Sequence, residues 1–540
     1  MLSKSKSQWC YVCAALLFVL FLFIPVFVKQ FLLIPIFVKQ CFCSLDGTFL
    51  DATRSLMIGA TIVSAILLIR NKPTCIILLS VVAITTLVEL VMVLTYGCYM
   101  GRDHFLAFVT ATSEECSDFA SNNLSALTYL IPLLLVFIGI CILLCYSRVP
   151  SFKLRLTNFG ICAALMIVSL LPYDHREDFT NFRAYKVDLF FSVLSVPPMN
   201  MFHHAKVVVR LTERHYEAND FVFNSTRRPV EGKETYVLAI GESVRYSNFG
   251  LYGQYQRNTT PLLGQQSNII AFDDYYTGGC STAISIPIII TRATTQDDTP
   301  SYTEKSIIQP FRENGFTTVV IKQGLFMQSS AEYLYQGVDY TVDVRSDADV
   351  ITAIDSISQA HEKTFIMFQF RGSHFYFENC PETFRYWTPN SLSDTQTKSE
   401  ELYINSYDNS ILYTDYLLNN LIDTLKTRGT SALWYISDHG ETISETHCWH
   451  GLICDSNEYH VPCLFWYSDA YQQAFSDKVA ALSAQTHAPI NAENIFYTIC
   501  GQTDIILPAA YSHDDWDISS PLFQPHPRYL IANGTLKELN

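Results

Sequence analysis

The chain has 540 residues, of which 49% are hydrophobic, 14% aromatic and 16% charged. This balance is too apolar for an ordinary soluble protein and too mixed for a pure membrane bundle, and it excludes a disordered chain. The net charge of −15 is unevenly placed, since residues 216–540 carry 19 Lys and Arg against 39 Asp and Glu. An acidic C-terminal body argues against a nucleic-acid partner, because binding to a phosphate backbone needs clustered cations.

Residues 1–172 are predicted to form a transmembrane domain of about five helices. Residues 9–28 are long enough to cross a bilayer core, and no small-residue cleavage site follows them, which indicates an uncleaved anchor. The other apolar runs lie at about 55–69, 74–97, 127–146 and 157–172.

The distribution of basic residues predicts the orientation of these helices. Lys and Arg fall at the N-terminus and in the loops after the second and fourth runs, whereas the alternate loops are acidic. A cytoplasmic N-terminus and five spans place the rest of the chain outside the cytoplasm. Residues 173–232 are then a periplasmic connector, in which 187–202 form an amphipathic helix on the membrane surface. A helix packed on the soluble domain is the alternative for that stretch.

Cysteines on the exported side lie in an oxidising compartment, which permits disulfides. Cys98 with Cys116, and Cys448 with Cys454, are the pairs that we expect, although sequence alone does not assign connectivity.

Residues 233–540 are predicted to form an α/β domain with a mostly parallel central sheet. Short apolar β-rich runs alternate with helical stretches, as in sheets that are buried on both faces. The clearest runs are TYVLAIG (235–241), TTVVIK (317–322), KTFIMFQF (363–370), SALWYIS (431–437) and VPCLFWY (461–467). In such sheets the functional groups lie beyond the carboxyl ends of the strands.

Acidic and imidazole side chains follow several of these strands. Glu242 follows the first run, His374 the third, and the pair Asp438 and His439 the fourth, with His450 eleven residues later. Oxygen and imidazole ligands without thiolates suit a zinc or manganese site of hydrolytic type. A helix cap and a packed imidazole would explain a single Asp–His pair, but the joint placement of all five favours a metal.

A nucleophile is expected at a helix start, where backbone N–H groups stabilise a phosphorylated side chain. The small residues of GGCSTA (278–283) lead into an apolar stretch. Thr282 is the first candidate and Ser281 the second; the alternative is that both hydroxyls only cap a helix.

Several long motifs occur in an order that resembles the membrane phosphoethanolamine transferases, a family of lipid A and lipopolysaccharide modifiers with a catalytic domain of alkaline-phosphatase or sulfatase fold. The resemblance covers nearly the whole chain. The motifs are IGESVRYSNFGLYGQYQRNTTPLL (240–263), STAISIP (281–287), FRGSHF (370–375), YDNSILYTDYLL (407–418), SDHGE (437–441) and WHG (449–451).

This resemblance implies a reaction and a set of roles. Thr282 accepts phosphoethanolamine from phosphatidylethanolamine, diacylglycerol is released, and an envelope acceptor then collects the group. His374 and His450 bind a second zinc or the phosphoryl oxygens. Four side chains hold one zinc ion tightly: Glu242, Thr282, Asp438 and His439. The implied location is the inner membrane of a Gram-negative bacterium, and the acceptor stays open between lipid A, a lipopolysaccharide core sugar and a periplasmic glucan.

The chain departs from the family at several positions. Gly278 and Ile288 stand where the family often has two cysteines that form a disulfide. Gln369 stands where some lipid A modifiers have a histidine, which bears on contacts with the acceptor. Leu106 stands where an asparagine is expected in the second periplasmic loop.

Three further residues are candidates for substrate binding. Thr110 and Glu114 fit the family's spacing loosely and are candidates for the donor headgroup, with a solvated helix face as the equal alternative. Asn258 is a candidate for a polar contact near the site.

Three other functions compete with the transferase. A glycerol-phosphate transferase of lipoteichoic-acid type has the same architecture, but the motifs favour phosphoethanolamine. A sulfatase is disfavoured because Cys280 is followed by Ser-Thr-Ala-Ile and not by the modification motif. A catalytically inactive membrane sensor is disfavoured because all the implied ligands are present.

Overall fold

The computed structural model divides the chain into two compact units, residues 1–213 and 214–540. The division falls within the segment 173–232 that the sequence predicts as a connector. The structure describes residues 4–27, 45–96, 100, 130–169, 196, 198–202, 220–323, 332–374, 380–390, 399–443, 448–451, 455–532 and 535–539.

The first unit is helical throughout its described elements. Among the described residues, two segments are long and apolar enough to cross a bilayer, Lys72–Val93 and Phe152–Ser169, and three other apolar segments are shorter. Five spans therefore stay a prediction. The helices are α1 (Lys4–Phe27), α2 (Leu45–Ile66), α3 (Lys72–Tyr96), α4 (Leu130–Tyr146) and α5 (Phe152–Ser169).

A buried carboxylate, Glu89, lies within α3 and joins it to two other parts of this unit. Glu89 Oε2 accepts a hydrogen bond from the backbone N–H of Met100 at 2.9 Å, and Oε1 accepts one from Asn200. Asn200 Nδ2 also donates to the Met100 carbonyl at 2.6 Å. The carboxylate therefore fixes residue 200 against the end of α3.

The second unit is an α/β domain. Its elements in chain order are β1 (Thr226–Arg227), β2 (Glu234–Gly241), β3 (Ile269–Phe272), β4 (Tyr275–Tyr276), α6 (Thr282–Ile290), α7 (Pro300–Thr303), α8 (Ile308–Glu313), β5 (Thr317–Gln323), β6 (Tyr340–Val344), α9 (Asp347–Ala360), β7 (Lys363–Gln369), α10 (Glu400–Leu425), β8 (Thr430–Ser437), β9 (Thr442–Ile443), β10 (Cys448–Trp449), α11 (Ser456–Tyr459), β11 (Cys463–Tyr467), α12 (Asp469–Ala474), α13 (Ser476–Ser483), β12 (Ile490–Asn491), α14 (Ile495–Gly501), β13 (Ile505–Ile506), β14 (Arg528–Ala532) and β15 (Thr535–Leu539).

The central sheet has seven strands in the order β3-β11-β8-β2-β7-β5-β6. Strands β8, β2, β7, β5 and β6 are parallel, and β11 runs antiparallel to both of its neighbours. All five predicted strands are confirmed, and the sheet is mixed because β11 reverses direction. Every residue of β2 and of β8 is buried.

The core has two hydrophobic clusters that share the central strand. Tyr236, Leu238 and Ile240 of β2 belong to one cluster, and Val237 and Ala239 to the other. Successive residues of a strand point to opposite faces, so each cluster covers one face of the sheet. Helices α6, α8 and α14 contribute to the first cluster, and α9 and α10 to the second.

Candidate active site and metal centre

The site lies where three neighbouring parallel strands end. Strand β2 pairs with β7 through Ile240 and Gln369, and with β8 through Gly241 and Ser437. The residues that follow β2 and β8 therefore emerge side by side at one edge of the sheet. This register brings Glu242 close to the Asp438–His439 pair.

The turn after β2 holds a non-glycine residue in the left-handed region, since Ser243 has a φ of 61°. Three hydrogen bonds hold this turn. The backbone N–H of Ser243 donates to Asp438 Oδ1 at 3.3 Å, its carbonyl accepts from Tyr407 OH at 2.5 Å, and its Oγ donates to Glu242 Oε1 at 2.8 Å. The backbone strain is thus compensated by contacts that orient Glu242.

Thr282 is the first residue of α6, and its hydroxyl lies inside this group. Its Oγ1 donates to Asp438 Oδ2 at 2.7 Å and lies 3.3 Å from both Glu242 Oε2 and His439 Nε2. Ser281, the second candidate, is the N-cap residue of α6, and its side chain makes no capping hydrogen bond.

The His439 ring is fixed by its own turn. Its Nδ1 lies 2.9 Å from the carbonyl oxygen of Gly440. Because a carbonyl oxygen can only accept a hydrogen bond, Nδ1 carries a hydrogen and is the donor. The other nitrogen, Nε2, faces the acidic side chains, 3.3 Å from Glu242 Oε1 and 3.5 Å from Asp438 Oδ2. Nε2 is therefore the atom placed to bind an ion.

His450 joins the same group, and His374 lies beside it. The ring centroids of His439 and His450 are 4.0 Å apart, and those of His374 and His450 are 5.8 Å apart. Glu441 Oε2 lies 3.1 Å from His450 Nδ1 and orients that ring. The ligand atoms of Glu242, His439 and His450 all lie within 4.8 Å of one another.

The turn that carries His374 is held by a buried carboxylate at the start of α9. Asp347 Oδ1 accepts from the backbone N–H of Arg371 at 2.9 Å, and its Oδ2 accepts from that of Gly372 at 3.2 Å. Gly372 has a φ of 50°, and a Cβ there would lie 3.1 Å from the carbonyl oxygen of Glu242. The turn therefore packs directly against the backbone of the first metal-ligand candidate.

The charged groups of the site perturb one another strongly. Burial and the charge of Glu242 raise the pKa of Asp438 to about 7. Burial by itself lowers the pKa of His439, but the carboxylates of Asp438 and Glu242 outweigh it and raise that pKa to about 10. Burial raises the pKa of Glu441 to about 8. Buried carboxylates that crowd in this way need a compensating positive charge.

The side chains present fit a divalent cation. Glu242, Asp438 and His439 are completely buried. Their converging oxygen and imidazole atoms, with the Thr282 hydroxyl among them, form the donor set that zinc takes in catalytic sites. Partners that orient these ligands are also present, because Ser243 Oγ donates to Glu242 Oε1 and the Gly440 carbonyl accepts from His439 Nδ1.

Sequence reasoning assigned no role to two residues of this site. Gln369, treated only as a departure from the family, donates to both acidic ligands, and Glu441 bonds His450. Glu441 is part of the SDHGE motif, and its position two residues after the ligand pair is the signal that could have identified it. No sequence signal identified Gln369, because its contacts depend on strand order.

Of the three remaining candidates, the structure describes only Asn258. Asn258 is exposed, on the loop that follows the turn after β2. Thr110 and Glu114 lie outside the described residues, as do Leu106 and the side chains of the four cysteines expected to form disulfides: Cys98, Cys116, Cys448 and Cys454. Their roles stay predictions.

A mixed α/β sheet with buried carboxylate, imidazole and hydroxyl groups beyond its middle strands defines the alkaline-phosphatase and sulfatase class of fold. The Sulfatase family model matches residues 234–505, half of the 540 residues, and the chain belongs to this family.

Two curated relatives are named as phosphoethanolamine transferases. The chain is similar to the Kdo(2)-lipid A phosphoethanolamine 7''-transferase of Salmonella typhimurium, with 29% identity over 279 residues, 47% of this chain and 49% of the relative. It is similar to the phosphoethanolamine transferase EptA of Escherichia coli K12, with 25% identity over 467 residues, 78% of this chain and 81% of the relative. The matched part thus spans about half the length of the Salmonella protein.

Two solved structures share the fold. The integral membrane lipooligosaccharide phosphoethanolamine transferase A of Neisseria meningitidis matches with a TM-score of 0.72 and 19% identity, over 92% of this chain and 97% of that one. The periplasmic domain of Escherichia coli EptC, crystallised in complex with Zn, matches with a TM-score of 0.51 and 21% identity, over 59% of this chain and 96% of that one. The resemblance to the membrane phosphoethanolamine transferases is confirmed.

Proposed function

We propose that the protein transfers phosphoethanolamine from phosphatidylethanolamine to an envelope acceptor through a covalent intermediate on Thr282. The names of the two curated relatives support phosphoethanolamine as the transferred group, because both are phosphoethanolamine transferases. The observation that carries the proposal is the position of the Thr282 hydroxyl, within 3.3 Å of Glu242, Asp438 and His439 at the start of a helix.

In the first step, Thr282 Oγ1 forms a bond to the phosphorus of the donor, and the bond from that phosphorus to the glycerol oxygen breaks. The hydroxyl proton passes to Asp438 Oδ2, 2.7 Å away, and from there to the departing diacylglycerol oxygen, so that diacylglycerol leaves as an alcohol and the step neither gains nor loses a proton. Because Thr282 opens α6, the partial positive charge of the helix N-terminus faces the phosphoryl oxygens. The product is phosphoethanolamine esterified to Thr282.

In the second step, an oxygen of the acceptor attacks the same phosphorus and Thr282 Oγ1 leaves. The proton lost by the acceptor returns to Oγ1, so that the resting hydroxyl is restored. The His450 ring, oriented by Glu441 Oε2 at 3.1 Å from Nδ1, serves to bind a phosphoryl oxygen or an ion. His374 lies beside it and serves the same phosphoryl group.

The proposed cofactor is zinc, held by Glu242, Thr282, Asp438 and His439, with His374 and His450 available for a second ion. A zinc ion in this position supplies Lewis acidity, which favours the ionised hydroxyl and stabilises charge on the phosphoryl oxygens. The buried carboxylates of Glu242 and Asp438 accept from the Thr282 hydroxyl and thereby orient it.

A lipid donor explains why a catalytic domain is joined to a membrane unit. We propose a multi-pass protein of a bacterial inner membrane, with five spans, a cytoplasmic N-terminus and the catalytic domain in the periplasm. The acceptor class is a lipopolysaccharide-type glycolipid or a periplasmic glycan, as the relative named for Kdo(2)-lipid A suggests. Asn258, Thr110 and Glu114 stay candidates for contacts with these substrates.

The proposal is tested by intact mass spectrometry of the full-length protein after incubation with vesicles of phosphatidylethanolamine. Wild type is expected to gain the mass of one phosphoethanolamine group, and Thr282→Ala is expected to gain none. Ser281→Ala removes the neighbouring hydroxyl, which makes no capping hydrogen bond, and is the matched control that keeps the adduct.

Two results would overturn the proposal. An adduct that is retained in Thr282→Ala and lost in Ser281→Ala would identify Ser281 as the nucleophile. The second result is an adduct of glycerol-phosphate mass that forms from phosphatidylglycerol vesicles and not from phosphatidylethanolamine. It would show that the protein transfers glycerol phosphate and not phosphoethanolamine.

A further inference from the structure

Gln369 is the last residue of β7, and its side-chain amide lies between the two acidic residues of the site. Its Nε2 donates to Glu242 Oε2 at 2.7 Å and to Asp438 Oδ2 at 3.1 Å. The side chain is 1% exposed, and both carboxylates are fully buried. An amide nitrogen has two hydrogens, so one Gln369 side chain can serve both carboxylates at once.

The register of the sheet explains how one amide reaches both. Gln369 is paired with Ile240 on β2, and Ile240 is paired with Ile436 on β8. Glu242 and Asp438 each follow two residues after those partners, at the place where the strands end. Side chains two residues apart point to the same side of a strand, so the three polar groups converge.

The orientation of this amide is set by the carboxylates. Two acceptor oxygens face it, so the nitrogen and not the oxygen of the amide must point at them. Gln369 Oε1, at the other end, has no hydrogen-bond partner among the residues that the structure describes. An unsatisfied buried carbonyl is unfavourable, and the side chain nevertheless keeps this orientation.

The two oxygens that accept from Gln369 are the ones that face the Thr282 hydroxyl. Glu242 Oε2 lies 3.3 Å and Asp438 Oδ2 lies 2.7 Å from Thr282 Oγ1. Two buried carboxylates repel each other, and rotation of either one would turn its oxygen away from the hydroxyl. A hydrogen-bond donor shared by both oxygens opposes that rotation and reduces the repulsion.

We infer that Gln369 is a positioning residue of the metal centre: it holds Glu242 Oε2 and Asp438 Oδ2 at the spacing at which both bind one cation together with Thr282. This inference rests on the cation site of the proposed function. It adds a residue that is neither a ligand nor a nucleophile, and its effect is on the affinity and geometry of the ion.

The test measures zinc affinity of the purified full-length protein by competition with a chelator. Gln369→Met keeps the length of the side chain and removes both N–H donors. It is expected to weaken zinc binding about 10–100-fold, which is the usual effect of removing a residue that hydrogen-bonds a metal ligand. The matched control is Gln502→Met, a glutamine that is equally buried and bonds Tyr471 instead. Its zinc affinity is expected to equal that of wild type.

The visible spectrum of the Co²⁺-loaded protein reports ligand geometry separately from activity and from stability. It is expected to change in Gln369→Met and to stay the same in Gln502→Met. Thermal unfolding of the metal-free proteins shows whether the variants fold. If Gln369→Met does not fold, Gln369→Asn replaces it as the test variant, because Asn draws the amide back by one methylene. Weaker zinc binding and a changed Co²⁺ spectrum are expected in Gln369→Asn as well.

The outcomes separate the inference from the proposed function. Wild-type protein that binds zinc, together with a Gln369→Met variant of unchanged affinity and unchanged Co²⁺ spectrum, overturns the inference and leaves the proposed function standing. Wild-type protein that binds no zinc overturns the metal-dependent proposal and the inference together.

Discussion

Gly440 is required by a close approach of the backbone and not by its backbone angles. Its φ is not in the left-handed region, but a Cβ there would lie 2.0 Å from the carbonyl oxygen of Asn457 and 3.0 Å from Arg245 Cβ. Its N–H also donates to the Glu458 carbonyl at 2.9 Å. Gly440 lies between Asp438–His439 and Glu441. The absence of a side chain there lets the turn that carries these residues pack against the start of α11.

We expect Gly440→Ala to lose zinc affinity and to lower the free energy of unfolding by about 1–3 kcal/mol, the usual cost of overpacking. Zinc content and the thermal midpoint of the purified protein are the measurements. Gly264→Ala is the control, since nothing lies within 4 Å of a Cβ at that position. Wild-type zinc affinity in Gly440→Ala would show that the turn tolerates displacement.

At the scale of elements, an aromatic stack joins three loops around the site. The His460 ring lies between those of Tyr246 and Tyr276, with centroid distances of 3.9 Å and 4.6 Å and interplanar angles of 12° and 6°. Tyr246 follows Glu242, Tyr276 precedes the loop of Thr282, and His460 follows α11. The stack therefore holds together the loops that carry the ligands and the hydroxyl.

Motif residues without a chemical role hold one of these loops against α10. Asp408 is fully buried and accepts from Asn248 Nδ2 at 2.6 Å, from the Tyr255 hydroxyl at 2.7 Å and from Arg257 Nη1 at 2.8 Å. This contact joins the two long motifs 240–263 and 407–418. Their length thus reflects structure as well as chemistry.

The loop before α6 is held from two sides. The backbone N–H of Ile531, in β14, donates to the Gly278 carbonyl at 2.9 Å, and Cys280 packs against Ala532. On the other side a Cβ at Gly278 would lie 2.7 Å from Ile288 Cδ1 and 2.8 Å from Thr295 Cγ2. Gly278 and Ile288, where the family often has paired cysteines, therefore face each other in this chain.

We expect the double substitution Gly278→Cys and Ile288→Cys to form a disulfide, because a Cβ at position 278 would lie 2.7 Å from Ile288 Cδ1, an atom that the second substitution removes. Closing a loop of this length is expected to raise the free energy of unfolding by about 2–3 kcal/mol. Peptide mapping and the thermal midpoint with and without reductant are the measurements. Gly278→Cys alone serves as the control, and we expect it to destabilise because its side chain meets Ile288 and Thr295.

At the scale of the whole molecule, buried carboxyl groups away from the metal centre make stability depend on pH. Burial raises the pKa of Asp517 to about 6. In the unfolded chain the same group titrates near 3.9. The folded protein therefore binds the proton more tightly, and the stabilisation from this group is complete below about pH 3.9 and is lost as pH rises to about 6.

We expect Asp517→Asn to gain stability over wild type by about 2 kcal/mol more at pH 7.5 than at pH 4.5, because the variant does not ionise. Thermal midpoints of the full-length protein at the two pH values measure the difference. Asp343→Asn changes an exposed carboxyl and is the control. A constant difference between Asp517→Asn and wild type at both pH values would contradict the assignment.

The sequence by itself determined the two-part organisation, the five strands and the identity of the groups that meet in the site. Strand propensity and burial are local, so runs such as 431–437 predict β8 within one residue. The rule that ligands follow the carboxyl ends of strands selected Glu242, Asp438 and His439, which lie together in the structure.

Only the tertiary structure decided which strands are neighbours and which way β11 runs. The role of Gln369 depends on β7 lying next to β2 and β2 next to β8, and strand order is set by packing between distant segments. The need for glycine at 440 likewise arises from the Asn457 carbonyl, a contact with no trace in local sequence. Local preference therefore predicts the elements and the chemical groups, whereas contacts between distant segments determine how those groups are held.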